Sequence, residues 1–98
     1  GHDEVKALSE EQIQEYLAQV NSWQMKDGAI SKTFEFDDYM PGIEFVNKVA
    51  KIAEEEQHHP DIEIKYNKIT ITLSTHFVKG LSENDFIMAA KIDNILSR

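Results

Sequence analysis

Ninety-eight residues make one domain and leave no room for a second. The chain has no cysteine, which excludes disulfides, thiol catalysis, iron–sulfur clusters and thiolate zinc sites together. A net charge of −8 argues against nucleic-acid binding, and no apolar run approaches the roughly 20 residues of a membrane span.

Apolar residues make up 41% of the chain, enough for a thin globular core. No basic-then-apolar leader pattern is present, and a cytoplasmic home is expected. Gly1-His2 reads as a cloning remnant within a single domain over 1–98. Of four histidines, that leaves His58, His59 and His76 for any proton chemistry near neutral pH.

The first element is a helix opened by Ser9, with Gln12 completing a capping box and Leu8 and Ile13 a hydrophobic staple. Ile13, Tyr16, Leu17 and Val20 share one face. Asp27-Gly28 then predicts a tight hairpin turn. Trp23 and Met25 alternate before it. Ile30, Phe34 and Phe36 follow, with Ser31, Thr33 and Glu35 on the opposite face. Lys32 interrupts the apolar row, which places that part of the strand near an edge.

A second helix is predicted from Tyr39 or Met40 to Glu56, capped by Asp37 or Asp38, with Pro41 tolerated in its first turn. Phe45, Val46, Val49, Ile52 and Ala53 form its buried stripe. It ends in Glu54, Glu55 and Glu56, and carboxylates there oppose the helix dipole. Pro60 stops the helix before His59. A second hairpin follows. Ile62, Ile64 and Tyr66 face the core on one strand, Asn67-Lys68 makes the turn, and Ile69, Ile71 and Leu73 face the core on the other. The last helix starts at Ser82, with Asp85 completing a capping box and Leu81 and Phe86 a staple. Ala89, Ala90, Ile92 and Leu96 supply most of its buried side. The order α-β-β-α-β-β-α implies an α+β domain: a four-stranded antiparallel sheet with three helices packed on one face.

The adjacent pair His58-His59 is the most unusual feature. By itself such a pair is compatible with exposed loop residues, with a base and an acid, or with metal ligation. The last is disfavoured because the i, i+4 spacing of a helical zinc site is absent. Glu54 and Glu55 lie one turn before His58 and are within reach of it if the helix persists. Asp85, by pattern alone, is a capping residue. Tyr66, Trp23 and Phe36 read as core.

Together these residues resemble one family. Glu-Gln-His-His-Pro at 56–60, Tyr66-Asn67-Lys68, Thr-Leu-Ser-Thr-His at 72–76, Gly80-Leu81-Ser82 and Asp85 are similar to pterin-4a-carbinolamine dehydratases. The resemblance runs from Leu8 to about Ile95. It implies dehydration of 4a-hydroxytetrahydropterin to quinonoid dihydropterin, which recycles the cofactor of aromatic amino-acid hydroxylases. It implies no metal and no organic cofactor, and a homodimer or homotetramer. It places the active-site histidines at His58, His59 and His76, with Glu54 and Asp85 in support. Pterin contacts are implied for Gln57, His58, His59, Ser74, Thr75, His76 and Phe77. Animal members also dimerise a homeodomain transcription factor, so the resemblance carries a second role as a protein partner with a dispensable histidine site. Ile62 stands where animal members often have an aromatic residue, and Phe77 replaces an acidic residue of some relatives. Both departures bear on selectivity among pterins.

Overall fold

A computed structural model describes residues 6–75, 78 and 80–96. In chain order the elements are α1 (Glu10–Leu17), β1 (Gln24–Lys26), β2 (Ala29–Glu35), α2 (Tyr39–Glu56), β3 (Asp61–Lys65), β4 (Lys68–Leu73) and α3 (Glu83–Ile95). The strands form one antiparallel sheet in the order β1-β2-β4-β3. The predicted α+β architecture is therefore the observed one. No helix among the described residues is long and apolar enough to cross a membrane.

Local chemistry accounts for most boundaries. The Ser9 hydroxyl accepts the Gln12 amide, and the Gln12 side chain accepts the Ser9 amide. Asp38 caps α2 through the Tyr39 amide. Asp27 and Gly28 both have positive φ, 51° and 79°, as the tight turn requires. Val20, expected on the first helix, lies past its end, but still packs against the core.

The central strands β2 and β4 carry the core. Their register sets Ile30 opposite Leu73 and Phe34 opposite Ile69. Ile30, Ile69, Ile71 and Leu73 are fully buried, each worth about 1.5–3 kcal/mol of apolar transfer. Phe45, Val49 and Ala53 of α2 and Phe86, Met88, Ala89 and Ile92 of α3 close over them. Helix α2 lies close to β4 at Gly42, where a Cβ would stand 3.3 Å from Ile69 Cδ1. On the opposite face, the hydroxyls of Ser31 and Thr72 lie 3.2 Å apart and those of Thr33 and Thr70 2.9 Å apart.

Lys32 behaves as its position in the sequence suggests. Strand β1 pairs only as far as Ser31, so β2 has no β1 neighbour from Lys32 onward. Its ammonium reaches Asp93 at 2.8 Å, and Asp93 also accepts the Trp23 indole N–H.

Three expectations fail. The second hairpin turns at Tyr66-Asn67, one residue earlier than predicted, because Lys65 pairs with Lys68. Asn67 is committed elsewhere: its side-chain amide donates to the Phe36 carbonyl, and its carbonyl accepts the Phe36 amide. Tyr66 is accordingly not core. It is 64% exposed, with φ at 50°, stacked on Tyr39 and donating its hydroxyl to Asp38. Ile64 is exposed with it. In α3, Ala90 and Leu96 face outward and Met88 takes the interior. Phe86 meets Tyr16 of α1 in a stacked contact at 5.2 Å, so α3 is gripped from two sides rather than along one stripe.

Candidate active site

The site begins where α2 stops. Gln57 adopts a left-handed conformation, φ 54°, and the His58 amide reaches back to the Ala53 carbonyl at 3.1 Å. This is the reversal that commonly satisfies the last carbonyls of a helix. The Gln57 side chain adds a bond to the Glu54 carbonyl at 2.7 Å. The reversal separates two neighbours in sequence. His58 turns inward and is 14% exposed at its side chain, whereas His59 stays 58% exposed.

Each imidazole finds its own carboxylate. His58 Nε2 lies 2.5 Å from Asp85 Oδ1, and Asp85 is fully buried. His59 Nε2 lies 2.5 Å from Glu54 Oε2, in the open. The expectation that Glu54 or Glu55 serves His58 is thus corrected. The left-handed turn at Gln57 carries His58 away from α2 and brings His59 back over it. The acidic helix end has a further partner in α3, where Lys91 Nζ lies 2.5 Å from Glu56.

Asp85 sits in the first turn of α3 and does more than cap. Its Oδ2 accepts the Ser82 amide at 3.0 Å and the Thr75 hydroxyl at 2.8 Å, while Oδ1 faces His58. The Ser82 and Thr75 hydroxyls lie 2.7 Å apart. An ionised carboxylate only accepts hydrogen bonds. With Asp85 ionised, His58 Nε2 is therefore a donor, and in the neutral imidazole Nδ1 is the nitrogen that carries the lone pair.

Of the residues singled out in the sequence, the fold brings His58 and Asp85 together from elements 27 positions apart. It leaves the His59–Glu54 pair on the surface beside Gln57. Ser74 is half-buried. Thr75 is 1% exposed, with its hydroxyl directed at Asp85 rather than outward. The bridge between Thr75 and Gly80 closes the loop that follows β4. His76 and Phe77 lie outside the described residues. Among the described residues, no three His, Asp or Glu side chains are placed to hold a metal ion. The Ser82–Asp85 capping box was legible in the sequence, whereas the role of Thr75 behind Asp85 was not, since that contact forms only in the folded chain.

Residues 6–95 match the family model described as pterin 4 alpha carbinolamine dehydratase. The chain belongs to that family. A protein of Herpetosiphon aurantiacus, provisionally named as such a dehydratase, is 48% identical over 90 residues, covering 92% of this chain and 94% of its own. One of Sulfurisphaera tokodaii with the same provisional name is 41% identical and covers 95% of this chain and all of its own. The crystal structure of a transcriptional coactivator/pterin dehydratase from Brucella melitensis superposes with a TM-score of 0.88 at 35% identity, over 92% of this chain and 98% of that one. A pterin dehydratase-like protein identified as a RuBisCO assembly factor in the alpha-carboxysome superposes less closely. Its TM-score is 0.64 at 26% identity, over 76% of this chain and 87% of that one.

Proposed function

We propose that this chain dehydrates a 4a-hydroxytetrahydropterin to quinonoid dihydropterin and water by histidine acid–base catalysis. In a cytoplasmic setting this recycles the pterin cofactor of aromatic amino-acid hydroxylases. The observation that carries the reading is His58 held by the buried carboxylate of Asp85 in a chain of this family. In the reaction the C4a–O bond breaks and the oxygen leaves as water after gaining a proton. The N5–H proton departs, and its electron pair forms the C4a=N5 bond. One group must supply a proton and another must take one, each with a pKa near the working pH. His58 or His59 serves the departing hydroxyl, and His76 assists the proton from N5. Glu54 steadies His59, and Asp85 steadies His58. Gln57, Ser74, His76 and Phe77 line the pterin subsite, with Thr75 buried behind it on Asp85, and the chain works as a homodimer or homotetramer. No metal or organic cofactor is required.

The test generates the 4a-hydroxypterin with a hydroxylase and follows quinonoid dihydropterin by absorbance. Removing a general acid or base is expected to cost about 10²–10⁴-fold in kcat. His58→Ala and His76→Ala variants that keep the parental rate would sink the reading. A second role as a protein partner is favoured by the names of the two solved relatives, a coactivator and an assembly factor. It predicts that partner capture survives loss of the histidines.

A further inference from the structure

We propose that Thr75 is a positioning residue for the dehydration, setting through Asp85 which nitrogen of His58 carries the proton. This rests on the reading of His58 given above. Thr75 is fully buried, as are Asp85 and Ser82, and among the described residues their side chains are satisfied by one another, by His58 and by the backbone amides of the Ser82–Asp85 capping box. The direction of their bonds is settled by counting protons. The Thr75 hydroxyl donates its single proton to Asp85 Oδ2, so it can only accept from the Ser82 hydroxyl. A one-way chain results, from Ser82 Oγ–H to Thr75 Oγ1–H to Asp85 Oδ2.

The Ser82 amide alone would not hold the carboxylate plane. The terminal torsion of aspartate is soft, and one donor leaves it free to swing. A second donor on the same oxygen, coming from the end of β4 rather than from α3, fixes the plane. It leaves Oδ1 as the only oxygen that can receive His58 Nε2–H. Thr75 thereby ties the tautomer of His58 to the junction of β4 with α3. A threonine that merely filled space would contribute to stability and leave the imidazole proton where it is.

The experiment reads the proton directly. Nitrogen-15 spectra of the native protein are expected to show neutral His58 as the Nε2–H tautomer, and an Nδ1–H tautomer there overturns the proposal. Thr75→Val keeps the shape but removes the hydroxyl. It is expected to mix the two tautomers and to lower kcat by about 10–100-fold, the range for loss of one bond to a charged group, with KM little changed. Thr75→Ser is expected to restore both readouts. A folded Thr75→Val protein with the native tautomer and native kcat overturns the proposal. If Thr75→Val does not fold, the native spectrum and the partial loss expected of Thr75→Ala decide it on the same terms. Asp85→Asn and His58→Ala run beside it as controls. If they are slow while Thr75→Val is not, only the assignment of Thr75 falls. If they too are fast, the dehydratase reading falls with it.

Discussion

Replacing Asp85 by asparagine separates the charge of this residue from its shape. The native carboxylate accepts three bonds, from His58, from Thr75 and from the Ser82 amide. Asparagine keeps one oxygen, which can still take the two donors behind it. Its NH₂ then faces His58 Nε2, which must become an acceptor, and the imidazole proton is driven to Nδ1, where the lone pair was. What is lost is one interior hydrogen bond to a charged group, worth about 1.5–3 kcal/mol. A domain of this size shifts by about 4–8 °C per kcal/mol, so the melting temperature should fall by roughly 10 °C. The catalytic loss should be larger in kind. An imidazole in the wrong tautomer would forfeit the acid–base role proposed for it, a loss of about 10²–10⁴-fold in kcat. Circular dichroism melts, the hydroxylase-coupled absorbance assay and nitrogen-15 spectra of His58 test the three expectations on one protein. Asp85→Asn that melts with the parent, turns over at the parental rate and keeps the proton on Nε2 would refute the reasoning.

Two further outcomes follow from other parts of the fold. The Tyr39 amide and then the Tyr66 hydroxyl hold the Asp38 carboxyl below its ordinary value, so the stability it contributes is present above that value and is lost as pH falls through the lowered one. Tyr66→Phe removes the second donor, so the Asp38 titration should move back up part of the way and the acid limb of the stability curve should flatten; carbon-13 titration of the carboxyl checks this, and an unmoved curve counts against it. Gly42→Ala should gain about 1 kcal/mol of helix propensity but lose about 1–3 kcal/mol by crowding, because the new Cβ would stand 3.3 Å from Cδ1 of the fully buried Ile69. The urea midpoint should therefore fall at constant slope, and a rise would show that the helix can lift off β4.

The elements were legible because their ends are written in local chemistry. Ser9 with Gln12, Asp38 before Tyr39, and Asp27-Gly28 act within a few residues of themselves, and so does the alternation of Ile69, Ile71 and Leu73. What was not legible depends on partners far along the chain. The turn at Tyr66-Asn67 is displaced because Asn67 answers to Phe36, 31 positions away. Met88 displaces Ala90 from the interior because α3 is held both by the sheet and by Tyr16. At the site, the histidine pair and Asp85 stood out as residue types and through the family resemblance. Their pairing did not, because a glutamine in a left-handed conformation gives no warning in the sequence. The same reversal that hands His58 to Asp85 hands His59 to Glu54.

Among the described residues, two polar ties of different character join the end of α2 to α3 beside their apolar packing. His58–Asp85 is an interior pin, and Glu56–Lys91 is an outer clasp with both partners partly in solvent. Salt screens the clasp far more than the pin, since mobile ions reach only the exposed pair. At high ionic strength the polar tie that persists beside the apolar packing of the two helices is the one at the imidazole. The dyad thus couples the two helices of the layer from inside, and substitutions along the α2–α3 seam are expected to register at His58 without touching it.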